Sequence, residues 1–219
     1  MHARPRFVLA ALLFCSACVS TAEHHASEPA VETDAASQQS APAELPPETV
    51  AAMQLALPGP EHAVIAKLAG DWNCEVRMWM APSTSPVIST ARAQSEMVLG
   101  GRFLQTRTHG EMKFGTTAFP FESFGMMGFD RRNGTFTTVG FDTMGTYYVT
   151  GAGTQNPETG VITLTGSDHD AASGMTQTYK FVFRLLDDDH YLIELYFTNP
   201  EMTHGLDEFK LMEMDCTRV

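Results

Sequence analysis

Tyr179-Lys180-Phe181-Val182-Phe183-Arg184-Leu185 and Tyr191-Leu192-Ile193-Glu194-Leu195-Tyr196-Phe197 decide the fold of this chain. In the first stretch Tyr179, Phe181, Phe183 and Leu185 fall on every second position. In the second, Tyr191, Ile193, Leu195 and Phe197 do the same. A period of two places one set of side chains on one face of a β-strand and the other set on the opposite face. Between them lies Asp187-Asp188-Asp189-His190, a charged, solvated hairpin tip.

The same alternation continues outward in both directions. Trp72, Cys74, Val76, Met78 and Met80 alternate with polar residues, and so do Ala91, Ala93, Ser95 and Met97. Residues 102–109 read as a third strand. Segments 121–129 and 135–141 flank Asp130-Arg131-Arg132-Asn133-Gly134, whose Asn-Gly pair tolerates the positive φ of a tight hairpin. Segments 146–152 and 161–166 flank Asn156-Pro157-Glu158-Thr159-Gly160, and 207–217 closes the chain. One helix precedes the strands: Val64, Ile65 and Leu68 have helical spacing, between Gly59-Pro60 and Gly70. About ten consecutive strands with short turns predict an all-β fold, a single closed antiparallel up-and-down barrel with one short N-terminal helix. Cys74 lies on the apolar face of the first strand and Cys216 shares a face with Met212 and Met214 on the last. If the barrel closes there, the two can form a disulfide; otherwise they are unpaired core cysteines.

The chain has 219 residues and a formal charge of −12. Residues 1–17 hold Arg4 and Arg6 and no acid, residues 18–60 hold six acids and no Lys or Arg, and residues 61–219 carry a net −8. That balance argues against nucleic acid as a partner, because affinity for phosphate backbones comes mostly from clustered Lys and Arg. The beginning reads as an export signal: a basic Met1–Arg6, an apolar Phe7–Phe14 and small residues after it. Eight apolar residues are too few to span a bilayer as a helix. Ser16-Ala17-Cys18 is similar to a bacterial lipobox, with Cys15 where Leu is usual; cleavage after Ala22 is the alternative. The organisation expected is a signal peptide at 1–17, a disordered Ala/Ser/Glu/Pro-rich tether at 18–58 and a barrel domain at 59–219. The location expected is the periplasmic side of the bacterial envelope, with the membrane met only through lipid on Cys18. Residues 50–57 have the composition for a helical turn or two, and His24-His25 are read as solvated linker residues.

Two family resemblances follow. Leu68-Ala69-Gly70-Asp71-Trp72 resembles the Gly-x-Trp opening of lipocalins and other calycins. That resemblance implies a calycin-like barrel whose first-strand Trp plugs the closed end under a basic residue from the last strand, here Arg218. Further fragments, among them Gly59-Pro60-Glu61-His62, Gly100-Gly101-Arg102-Phe103-Leu104, Gly128-Phe129-Asp130 and Asp142-Thr143-Met144-Gly145-Thr146, resemble the bacterial domain-of-unknown-function-1579 family over 59–219. That family implies the same barrel and no established activity.

No phosphate-binding loop, nucleophile elbow or zinc-protease motif is present in the sequence. In Asp168-His169-Asp170, alternation sends the His to the face opposite the carboxylates, and a solvated turn is the reading preferred to a metal site. Haem-binding calycins use one histidine near the C-terminal end of the barrel, which singles out His204, but a lone loop histidine is read as solvent-facing. The Met residues are read as core filling. Neither a metal nor a cofactor is expected.

The candidate ligand-binding residues are Gln105, Arg107, His109, Glu122, Asp142 and Met144. If Phe103 points inward, Gln105, Arg107 and His109 share its face; if Phe121 points outward, Glu122 and Phe124 point in. Asp142 then sits at the barrel mouth. The function expected is a non-enzymatic binding module taking a small apolar molecule, oriented by Arg107 and Glu122. One alternative is a hydrolase or isomerase with Glu122 or Asp142 as general base and His109 as partner. Another is a structural envelope protein with a filled barrel. The expected anchor has a direct test: Cys18→Ala moves the protein from the membrane fraction to the soluble one while the domain stays folded. A soluble wild-type protein beginning at Glu23 is the contrary outcome.

Overall fold

The computed structural model describes residues 45–114, 117–171 and 174–219. The leader, Cys18, His24-His25 and the tether up to residue 44 lie outside them. Two helices, α1 (Pro47–Leu55) and α2 (Pro60–Ala66), lead into ten strands. These are β1 (Gly70–Met78), β2 (Val87–Val98), β3 (Phe103–Phe114), β4 (Thr117–Asp130) and β5 (Thr135–Asp142), then β6 (Tyr148–Gln155), β7 (Ile162–Asp170), β8 (Met175–Asp187), β9 (His190–Phe197) and β10 (Phe209–Arg218). Each strand pairs antiparallel with the next, and β10 returns to pair with β1, so the barrel is closed. Every alternating segment of the sequence is one of these strands.

The alternation sets the register. On β1, Trp72, Cys74 and Val76 are buried and face inward. Their partners on β2 are Ala93, Ala91 and Ser89, all buried. Across the closing seam Cys74 lies opposite Cys216, and the two sulfurs form a disulfide between residues 142 positions apart. Small residues opposite Trp72 leave room for its indole, which meets Tyr191 edge-on with ring centroids 4.6 Å apart.

One end of the barrel is plugged. Gly59 caps α2 and donates its N–H to His62 Nδ1 at 3.0 Å. Burial pushes the pKa of the His62 imidazole down. Ile65 of α2 is fully buried among Leu104, Phe136 and Leu164. The Trp72 indole N–H donates to Leu68 O at 3.0 Å, and the Arg218 guanidinium lies 4.1 Å above the Trp72 ring. Arg218 also donates to the carbonyls of Ala69, Lys67 and Asp188. Gly70 has φ +136°, which favours glycine, and a Cβ there would fall 2.3 Å from Arg218 Nη1 and push the guanidinium from its place.

Regular structure begins before the expected boundary at residue 59. Pro47–Leu55 is helical although none of its residues is buried. Its C-terminal end is held by two arginines from turns of the barrel. Arg102 Nε donates to Ala56 O at 2.8 Å, and Arg131 Nη1 donates to Gln54 O at 2.6 Å and Leu57 O at 3.0 Å. Cations at a helix C-terminus satisfy its free carbonyls and oppose its dipole. Composition alone does not reveal partners so distant in sequence.

Outside the wall, Glu194 is only 5% exposed. Lys210 Nζ lies 2.5 Å from it, Arg184 Nε 3.0 Å, and the Tyr196 hydroxyl donates to it at 2.9 Å. Burial opposes its ionisation, and these three donors outweigh burial, so its pKa lies below the ordinary 4.5.

Replacing Cys74 and Cys216 together by Ala is expected to lower stability by on the order of 3–5 kcal/mol, since the bridge closes a long loop of the unfolded chain. Urea melts with and without reductant measure it, and two free thiols in denatured, unreduced wild-type protein would contradict the bridge. For Glu194 the depressed folded pKa means that its stabilisation is complete above about pH 4.5 and is lost as pH falls through the folded value. Lys210→Met removes one donor, so acid unfolding followed by Trp fluorescence is expected to shift to higher pH.

A candidate functional site: the cavity open at the unplugged end

The inward faces do not fill the barrel. Above Leu68 and Tyr191 a cavity of about 390 Å³ rises to the end opposite α2. Its walls are apolar over most of their height, with Leu104, Met127, Phe181, Phe183, Ile193 and Met214 contributing. Part of the space exists because two paired positions on β4 and β5, Gly125 and Gly140, carry no side chain. A Cβ at Gly125 would meet only Val139 O at 3.5 Å, and one at Gly140 only Val149 Cγ2 at 3.4 Å. The cavity therefore reaches the backbone of that wall. On the wall's outer side, Phe124, Phe141 and Tyr148 form a ladder with ring centroids 6.3 and 5.9 Å apart.

Hydroxyl groups are interleaved with the apolar lining. Ser95 and Thr106 share a hydrogen bond of 2.9 Å, and Thr138 donates to Met126 O at 3.2 Å. Thr108 also lines the cavity and is 5% exposed, yet its hydroxyl has no hydrogen-bond partner among the described residues. At the mouth stand Ser123, Asp142, Met144, Tyr147, Asp168 and Gln177. The turn after β5 is anchored twice to Glu122: its backbone N–H donates to Thr143 Oγ1 at 3.1 Å and its carbonyl accepts the Thr143 N–H at 3.0 Å. Asp142 Oδ1 accepts the Met144 N–H at 2.8 Å within the turn. The Tyr147 ring lies over Gly145, where a Cβ would come within 2.2 Å of it. Burial, together with the negative charges of Asp142 and Asp168, raises the pKa of the Tyr147 phenol. No Lys, Arg or His is found among the described lining residues.

Of the six expected binding residues, Asp142 and Met144 line the mouth. The other four face the opposite way. Leu104, Thr106 and Thr108 are the inward residues of β3, and Phe103, Gln105, Arg107 and His109 point outward. On β4, alternation turns Phe121 and Ser123 inward and Glu122 and Phe124 outward, the Phe124 ring lying beside the outward Arg107. Gln105 donates to Glu96 at 3.2 Å on the surface, and the Arg107 guanidinium lies 5.1 Å from the Phe124 ring centre. His109 and Glu122 are 4.0 Å apart on the exposed outer wall, not at the mouth. The physical reason is solvation: this face of β3 carries its charged side chains, and burying them without partners costs more than leaving Phe103 half-exposed. A broader depression of about 660 Å³ lies over β1, β2 and β3 on that outer surface. It is shallow and lined by charges of both signs, including Arg77, Arg92, Glu111 and Asp215, so the interior is the better-formed chamber.

The histidines considered in the sequence do not enter it. Asp168-His169-Asp170 lies in strand β7 rather than in a turn; Asp168 faces the cavity, and His169 meets Thr176, 3.2 Å away, outside. His204 is exposed, packed edge-on against Phe209. His190, beyond the acidic hairpin tip, pairs with Asp215 at 2.6 Å. Among the described residues no three His, Cys, Asp or Glu side chains are placed to hold a metal ion. No helix among them is long and apolar enough to cross a membrane.

The family profile described as "Protein of unknown function (DUF1579)" matches residues 57–218, the barrel with α2 and the residues just before it. The chain belongs to the DUF1579 family. Among solved structures, this DUF1579 protein is similar to Rv2717c from M. tuberculosis, with a TM-score of 0.51 and 16% sequence identity over 74% of this chain and 98% of that one. At that identity the likeness concerns the fold alone. No curated protein matches the chain.

Proposed function

We propose that this DUF1579 protein is a non-enzymatic binding module that takes a small, largely apolar molecule into its barrel. The observation that carries the reading is the cavity itself: about 390 Å³, apolar along its walls, open at one end and bordered by a few polar groups. Ligand chambers in proteins have this size and this mixture of lining. Burial of apolar surface supplies the affinity, at about 25 cal/mol per Å² removed from water. Met127, Met212 and Met214 adjust to occupants of different outline, since thioether side chains are unbranched and polarisable.

The same proposal includes export, with lipid on Cys18 holding the domain to the membrane through the tether. The leader composition supports it, and so does the Cys74–Cys216 disulfide, a bond that persists in oxidising compartments.

Two measurements test the binding role. Native mass spectrometry of the full chain, taken from its own membranes in mild non-ionic detergent, is expected to retain a small-molecule adduct. Gly125→Leu is expected to fill the chamber, because a side chain there enters open space. N-phenyl-1-naphthylamine, an uncharged fluorescent probe, should bind the wild type and bind the variant at least tenfold more weakly, with the thermal midpoint unchanged or raised. Equal probe binding by both proteins would count against the cavity as the site.

A further inference from the structure

We propose that the chamber selects an apolar molecule with a cationic head group, held at the mouth by Asp142, Asp168 and Tyr147. This rests on the reading of the cavity as a ligand site and adds the charge of the ligand. Asp142 ends β5 and Asp168 lies near the end of β7; both carboxylates line the opening. Neither has an ion-pair partner among the described residues, and the described lining offers no cationic side chain to neutralise them. Some carboxylates on the outside of this barrel are paired, among them Glu194 with Lys210, Glu213 with Arg77 and Asp189 with Arg218. At the mouth two carboxylates without an ion pair among the described residues border one apolar chamber.

Tyr147 lines the same opening. Burial, and then the negative charges of both carboxylates, raises the pKa of its phenol. An ammonium at that point gains two opposite charges and the face of an aromatic ring. A carboxylate head would meet two like charges with no cationic side chain among the described lining residues to offset them, and its desolvation would cost further. The net −8 of residues 61–219 adds long-range attraction of the same sign. The Thr108 side chain, 5% exposed, also lines the chamber, and its hydroxyl has no hydrogen-bond partner among the described residues, so it is open to a bond from an occupant.

The test displaces N-phenyl-1-naphthylamine from the full-length protein with three molecules of equal chain length: decyltrimethylammonium, decanol and decanoate, each below its aggregation concentration. At neutral pH and low salt the expected order is ammonium, alcohol, carboxylate, with the ammonium at least tenfold tighter than the carboxylate. The difference should shrink as salt screens the mouth. In Asp142→Asn/Asp168→Asn the order should collapse to less than threefold. The amide that replaces the Asp142 carboxylate retains an oxygen for the Met144 N–H, and near-ultraviolet circular dichroism of the variant verifies its packing. Equal affinities in the wild type, or preference for decanoate, overturn the cationic assignment and leave the chamber as a ligand site. Binding of none of the three, with no binding of the probe, overturns the ligand-site reading and this inference with it.

Discussion

The pairing of β1 with β10 is the constraint on which the rest of the molecule depends. Until those strands meet, the sheet has two open edges and its inward residues have no second wall to pack against. Three kinds of bond converge there. The backbone ladder runs from Trp72 opposite Arg218 to Met78 opposite Met212, the Cys74–Cys216 disulfide crosses it, and Arg218 reaches over Trp72 to the carbonyls beneath α2. The last strand thus clamps the plug made by the first. One end of the barrel is sealed by this arrangement, and the other stays open.

The two ends differ in chemistry for that reason. At the sealed end the polar groups are matched: Arg218 serves several carbonyls, and Arg102 and Arg131 serve those of α1. At the open end Asp142, Asp168 and Gln177 face the chamber. Between them Gly125 and Gly140 leave unfilled a volume that larger residues would occupy, and the outer aromatic ladder covers the thin wall. Cores are ordinarily packed close to the density of organic crystals, so an open volume of this size is a feature the sequence maintains against packing energy.

The fold was legible because period-two alternation is a local property. Tyr179 to Phe197 announces two strands to any reader, and the Cys74–Cys216 opposition follows once first and last strands are joined. The site was less legible, because it depends on which parity of each strand faces inward. On β3 the adjacent Phe103 and Leu104 are both apolar, so hydrophobicity alone leaves the parity open. The charged Arg107, His109 and Glu111 share the face of Phe103, and the neutral Thr106, Thr108 and Met112 share that of Leu104. Counting charges rather than ring size identifies the inward set. Asp168 and Tyr147 carry no such local sign; what draws them together is the curvature of the closed barrel, which brings the ends of β5 and β7 to one rim. The helix α1 was partly legible in its composition, but the arginines that hold it come from turns far along the chain.

Closure between strands 142 residues apart at the disulfide has a kinetic consequence as well as a structural one. Every other strand pair in the barrel is a hairpin of neighbours, which forms with little loss of loop entropy. The closing pair forms only when the whole chain from Trp72 to Arg218 is present, and topologies with such distant contacts fold slowly. During that interval the growing sheet offers both edges to other chains. Once the thiols join, the seam can no longer part without breaking a covalent bond, so a slow, exposed search ends in a state whose edges stay closed on the timescale of the protein's working life.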